Sequence, residues 1–267
     1  MLTTLPPPGT AASVAVVGRG RLGRVLARAL RAAGVPVLGP TGRGDAIPAA
    51  DIVLLCVPDA AIGDATAAAA GRGRLIGHTS GATPLGAADF GLHPLQTFTG
   101  NEDPAVFHGI TCAVAGRDED ALATATGLAT LLGAHALPLA DGQRAGYHAA
   151  ASIASNFLVT LADTAEQVAA SAGIAPEQAR AMLAPLVRRT VENWAEQGPE
   201  RALTGPVRRG DTATVERQRA AVATRPELLV LFDALVARTS DVARRVDATD
   251  QHSTDQQDEK PMKDSRQ

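Results

Sequence analysis

The chain is nearly devoid of lysine. Its only lysines, Lys260 and Lys263, stand near the end of a polar tail, so basic charge elsewhere is arginine. That excludes a Schiff-base or acid–base lysine from the expected folded body. Cysteine is equally scarce. Cys56 and Cys112 sit in separate apolar runs with neither a CxxC nor another ligand spacing, which indicates buried free thiols and a reducing, cytoplasmic setting. No His/Asp/Glu cluster has ligand spacing, so no metal is expected. No apolar run reaches the ~20 residues of a membrane span. The first residues, MLTTLPPPGTAA, lack the basic and apolar regions of a secretory signal. A net charge of −3 gives no argument for nucleic acid or an anionic membrane.

What is present points to an ordinary globular protein: 267 residues, 45% of them hydrophobic. Residues 1–12, with three consecutive prolines, read as a flexible lead-in, and the polar segment 247–267 as a disordered tail. Between them the texture changes near Leu139. Residues 13–139 alternate apolar strand runs (13–18, 35–39, 51–59, 74–81, 110–116 and 134–139) with helical stretches (21–34, 60–71 and 118–133). Unbroken apolar strands alternating with helices predict an α/β domain whose mainly parallel, doubly wound sheet is covered on both faces. Residues 140–246 contain no strand pattern and predict an all-α domain. A long helix is expected over 141–173 and a second from Pro176 to Gly198. An interruption at ALTGPVRRGD and two further helices follow.

The sharpest motif is VAVVGRGRLGRVLARAL, in which Gly18, Gly20 and Gly23 follow a strand and open a helix. One glycine permits the turn, one lets a pyrophosphate approach the backbone and one packs helix on strand. The amides of the Gly18–Gly23 loop, which also contains Arg19, Arg21 and Leu22, would receive the phosphates. No acidic residue directly follows the second strand, where Pro40–Gly44 reads PTGRG. Thr41 and Arg43 could accept a ribose 2′-phosphate instead, which favours NADP over NAD. Val57 and Pro58 end the next strand run and would line the nicotinamide ribose. Asp59 after them reads as a helix cap. Ser80, in HTSGA, ends another strand at the same carboxyl edge.

Proton transfer needs a group that titrates near neutrality, which directs attention to histidine. His93 lies in GLHPLQTF, either as a proton carrier or as the polar end of a turn. In RAGYHAAASIASN, Arg144, His148, Ser152 and Asn156 recur every four residues and predict a polar stripe on one helix face. Such a stripe suits a cleft between the domains, with Arg209, and its neighbours Thr204 and Asp211, on the rim. In this reading His93 and His148 are the proton-transfer candidates, Ser80 and Asn156 orient the substrate, and Arg144, Ser152 and Arg209 bind it.

The ordered motifs VPD, HTSGA, HPLQTF, YHAAASIASN and ALTGPVRRGD resemble a bacterial family of Rossmann-like proteins with a C-terminal domain of unknown function, over roughly Ser13 to Val246. More broadly the chain resembles two-domain dehydrogenases with a 6-phosphogluconate-dehydrogenase-like helical domain. Ketopantoate reductase and prephenate dehydrogenase belong to that group. The resemblance implies dinucleotide binding and a homodimer formed through the helical domain; it names no substrate. The Lys-x-x-x-Asn pair of many such dehydrogenases is missing, and Arg144 and His148 occupy that region. The expected activity is NADP-dependent hydride transfer with a small anionic hydroxy or oxo acid. A dinucleotide-binding sensor without turnover and a deazaflavin-dependent oxidoreductase remain open beside it.

Overall fold

A computed structural model describes residues 12–258, with side chains through Arg245. The flexible lead-in expected over 1–12 lies almost wholly outside the described residues, as does the end of the expected tail. By packing, the chain divides into two compact units, Met1–Asn156 and Phe157–Gln267.

The first unit is built on strands β1 (Val14–Val17), β2 (Val37–Thr41), β3 (Ile52–Leu55), β4 (Leu75–His78), β5 (Phe90–Pro94), β6 (Thr111–Gly116) and β7 (His135–Pro138). They form one sheet in the order β2-β1-β3-β4-β5-β6-β7. Pairing is parallel from β2 through β5. It is antiparallel between β5 and β6, and parallel again between β6 and β7. Every residue of β1 and β3 is buried, as central strands covered on both faces must be. Helix α1 (Arg21–Ala32) buries Val25, Leu26 and Leu30 on one side, and α3 (Glu119–Leu131) buries Ala121, Ala125 and Leu128. These side chains join Val14, Ile52, Phe90 and Phe107 in the main core. The shorter α2 (Ile62–Ala68) contributes Ile62 and Thr66. Cys112 is buried in that core and both cysteines are free; desolvation pushes the Cys56 thiol up to about 12.

Strand β5 is absent from the expectations above. Its Gly, His and Pro carry little β-propensity, but Phe90 and Leu92 are fully buried on one face. A Cβ on Gly77 would stand 2.3 Å from the Phe90 ring, so the bare glycine of β4 makes room for it. The registers Val17–Thr41, Val17–Leu55, Leu55–His78 and His78–Gly91 line up one edge. The carboxyl ends of β1 to β5 therefore share it, and His93 lies two residues farther along β5 than Gly91.

Helix α4 (Arg144–Ala154) packs with the sheet unit, so the division falls after Asn156 and not near Leu139. The single helix expected over 141–173 is two. Ser155 (φ −117, ψ −73) separates α4 from α5 (Asn156–Ser171). Ser155 and Asn156 are residue types whose side chains compete for backbone hydrogen bonds, which suits them to a break.

The second unit continues with α6 (Pro176–Ala202), broken at Gly198 where φ is 77. It also holds α7 (Thr212–Val222), capped by Asp211 at its Thr214 amide, and α8 (Pro226–Asp258). Helix α8 continues into 247–258, where disorder was expected. Among the described residues of this unit, the buried apolar side chains are Ala179, Val222 and Ala243. No described helix is long and apolar enough to cross a membrane.

Candidate dinucleotide and proton-transfer site

The glycine loop has the shape its spacing predicts. Gly18 holds φ +117, and a Cβ there would lie 2.0 Å from the Cys56 carbonyl oxygen. A Cβ on Gly23 would lie 2.0 Å from the Gly18 oxygen, so this glycine locks α1 against the turn. At Gly20 a Cβ would meet nothing within 4 Å. The backbone is thus open to an approaching ligand at the one glycine where an approach is required. Gly20 is the N-cap of α1 and supplies no side-chain cap, and the first turn contains no acidic residue. The positive end of this helix is therefore not neutralised locally. Arg21 is exposed at its start and Leu22 packs on the core. These features fit a dinucleotide pyrophosphate.

Beside this loop, Thr41 ends β2 with its Oγ1 buried and without a hydrogen-bond partner among the described residues. Arg43 is exposed in the loop that follows. Asp45, passed over in the sequence reading, accepts from Arg19 Nη2 at 2.6 Å and from the Gly42 amide at 2.8 Å. Val57, half-buried, and Pro58, exposed, follow β3 on the same edge. Asp59 lies within a short 3-10 turn (Asp59–Ala61) whose N-cap is Pro58, so it is not the side-chain cap expected.

At the far end of that edge the structure brings together Ser80, His93, Arg144 and His148, and adds Tyr147. His93 Nδ1 lies 2.8 Å from the Tyr147 hydroxyl, and the His93 and His148 rings are 6.3 Å apart. Arg144 is 3% exposed. It donates to Asp141 Oδ1 at 2.8 Å and to the Ser80 carbonyl at 3.3 Å, which answers the cost of burying a guanidinium. Two glycines make this packing possible. A Cβ on Gly91 would lie 2.9 Å from Arg144 Nη2, and one on Gly81 would lie 2.8 Å from the His93 ring.

Ser80 is engaged as a turn residue. Its Oγ accepts from the Ala82 and Thr83 amides, and its own amide donates to His78 Nδ1. His148 is exposed and Ser152 half-buried, whereas Arg144 turns into the sheet. Asn156 opens α5 beyond the break, so the expected four-residue stripe does not run along one helix. Arg209, Thr204 and Asp211 belong to the second unit, where Asp211 caps α7.

Electrostatics sets the resting state of the pair. Burial, then the charges of His148 and Arg144, push the His93 imidazole down to about 4, so it is neutral at pH 7. Burial pushes the Tyr147 hydroxyl up to about 12, so it keeps its proton. His78 is also held below its ordinary value by burial and Arg144. Tyr147 escaped the sequence reading. Its signal was available: it is the sole tyrosine of the chain, three residues after Arg144 and adjacent to His148.

Comparison with known proteins agrees with the architecture. Residues 110–239 match a family model described as a domain of unknown function, DUF2520. No curated protein sequence matches the chain. Among solved structures, a candidate NADP oxidoreductase from Bacteroides fragilis is 21% identical with a TM-score of 0.72, over 86% of this chain and 98% of that one. A protein of Thermotoga maritima is 24% identical with a TM-score of 0.72, over 87% and 98%. A reductive aminase from Aspergillus terreus, solved with NADPH and ethyl levulinate, is 15% identical with a TM-score of 0.61, over 90% and 100%. At these identities the likeness is one of fold: a Rossmann-like domain followed by helices.

Proposed function

We propose that the protein is an NADP-dependent oxidoreductase acting on a small anionic hydroxy or oxo acid. One observation carries the reading. The carboxyl edge of a single sheet holds both an open glycine cradle at Gly20 and a half-buried, neutral His93 bonded to Tyr147. The amides of Gly18–Gly23 would hold the pyrophosphate. Thr41 and the loop after it would take the adenosine ribose, and Val57 and Pro58 the nicotinamide ribose. When bound, the cofactor supplies or accepts the hydride.

The chain's own residues handle the proton. His93 and Tyr147 share one hydrogen bond, so the ring has two neutral tautomers. With Tyr147 donating to Nδ1, Nε2 carries hydrogen toward a substrate oxygen; with Nδ1 donating to Tyr147, Nε2 is bare and accepts. The low proton affinity of the ring favours passage of a proton over its storage. The Arg144 charge disfavours an imidazolium and favours a substrate anion, while its bond to the Ser80 carbonyl fixes the turn that carries Gly81 beside His93. The solved relatives named above, one described as an NADP oxidoreductase and one holding NADPH, support the cofactor assignment.

A homodimer through the second unit belongs to the same reading. Leu186 is 63% exposed, Trp194 56% and Val230 76%, large apolar side chains that a second copy would cover.

The test is titration with NADPH and NADH followed by an oxo-acid panel, using wild type, His93→Ala and Tyr147→Phe. Binding of NADPH and reduction of an oxo acid, lost in His93→Ala with binding retained, is the expected result. Binding without hydride transfer across the panel would identify a sensor, and no binding would remove the dinucleotide reading.

A further inference from the structure

The loop after β2 already holds an anion, and it is the chain's own. Arg19, between the first two glycines of the motif, directs Nη2 to Asp45 Oδ2 at 2.6 Å and Nε to the Pro40 carbonyl at 3.4 Å. The same carboxylate oxygen accepts the Gly42 amide at 2.8 Å. A Cβ on Gly42 would stand 3.4 Å from that oxygen and 3.5 Å from the Arg19 guanidinium carbon, which places the pair in contact distance of this stretch of backbone. Thr41, one residue earlier, has its Oγ1 buried and without a hydrogen-bond partner among the described residues. A guanidinium and a backbone amide thus meet on one carboxylate oxygen just after β2, beside the glycine loop: the Gly18 amide bonds the Thr41 carbonyl at 2.9 Å.

Resting on the dinucleotide reading, we infer that Asp45 is a displaceable internal anion occupying the seat of the ribose 2′-phosphate. Arg19, rather than Arg43, is the cation that reads it. Arg19 and Asp45 are both largely exposed, with side chains 61% and 45% accessible, and an ion pair of that kind contributes little to stability. A phosphate brings more charge and three acceptor oxygens to the same guanidinium, so it can displace the carboxylate. A ribose 2′-hydroxyl brings no charge and leaves the pair in place. The loop therefore selects by exchange. A carboxylate that served the ribose as a direct ligand would offer its oxygens to sugar hydroxyls; here Oδ2 is already committed to Arg19 and Gly42.

The experiment measures dissociation constants of NADPH and NADH, and of adenosine 2′,5′-bisphosphate and adenosine 5′-monophosphate, for wild type, Asp45→Asn, Arg19→Ala and Arg43→Ala. Melting temperatures confirm that each variant folds. Removing the competing charge in Asp45→Asn should tighten NADPH and the bisphosphate about three- to tenfold and leave NADH within about twofold. Arg19→Ala should weaken NADPH and the bisphosphate about tenfold or more, with Arg43→Ala below about threefold. Weaker NADH binding in Asp45→Asn with NADPH unchanged would overturn the inference and make Asp45 a ribose ligand. A large effect of Arg43→Ala with none from Arg19→Ala would overturn it by naming the other cation. Binding of both dinucleotides with unchanged discrimination in every variant would sink this inference alone, whereas no binding in any protein, wild type included, would remove the dinucleotide reading and the inference with it.

Discussion

The two compact units differ in how they use apolar residues. In the first, Val14, Leu26, Leu30, Ile52, Leu54, Phe90 and Phe107 are essentially inaccessible. Among the described residues of the second, the buried apolar positions are two alanines and one valine, and larger side chains such as Leu186, Trp194 and Val230 stand exposed. Helices of marginal intrinsic stability depend on packing an apolar face. The first unit satisfies that need within one chain, whereas the described helices of the second leave large apolar side chains exposed. Large apolar residues in a sequence therefore report where burial is needed, not whether one copy of the chain provides it.

The largest expected effect would break the self-sufficient side of this contrast. Gly18→Ala or Gly23→Ala sets a Cβ 2.0 Å from a backbone oxygen. Either should cost the first unit about 3–5 kcal/mol or more, read as a fall in its denaturant midpoint. Next, Leu186→Asp combined with Trp194→Ser should convert a dimer to monomer in light scattering. It should also remove a concentration dependence from the melting of the helical unit, while the sheet unit melts unchanged. A wild-type monomer at all concentrations would refute that half of the comparison. A smaller effect belongs to Asp141→Asn, which takes the carboxylate from the buried Arg144; about 1–3 kcal/mol should be lost, the partial exposure of Asp141 keeping it below the cost of a fully buried pair.

The last effect is a pH dependence. His93 titrates at about 4 when folded and near 6.5 when unfolded, so between these values the unfolded state binds more protons. The contribution is complete above pH 6.5 and is lost as pH falls toward 4. In His93→Gln the decline of melting temperature over this interval should be shallower than in wild type. Equal slopes would show that His93 is not held neutral by burial.

Much of this was legible in the sequence. The strand–turn–helix around Gly18, Gly20 and Gly23 follows from local sterics, and six of the seven strands from unbroken apolar runs. Strand β5 was not, because its burial depends on Phe90 finding the space left by Gly77 in another strand. The break at Ser155 was hidden by helical periodicity that continues through it. For the site, His93 was named from its chemistry, but its partner Tyr147 comes from a tertiary contact across 54 positions. The role of Asp45 was likewise invisible, since only folding brings it to Arg19 across 26. Reading a motif residue by residue finds the groups that can do chemistry; it does not find the groups that hold them.

Helix α4 reaches strand β5 through two long side chains. Arg144 reaches the space over Gly91, and three residues later Tyr147 reaches His93, two residues farther along the strand. Three helical residues advance about 4.5 Å, and two strand residues about 6.6–6.8 Å. The long arginine and tyrosine side chains bridge these unequal steps, so the contact depends on the spacing of the two residues. One residue inserted between Arg144 and Tyr147 would turn the helix by about 100° and disengage one of the two side chains. This short stretch should therefore tolerate changes of residue type far better than changes of length, the reverse of what holds for an ordinary surface loop.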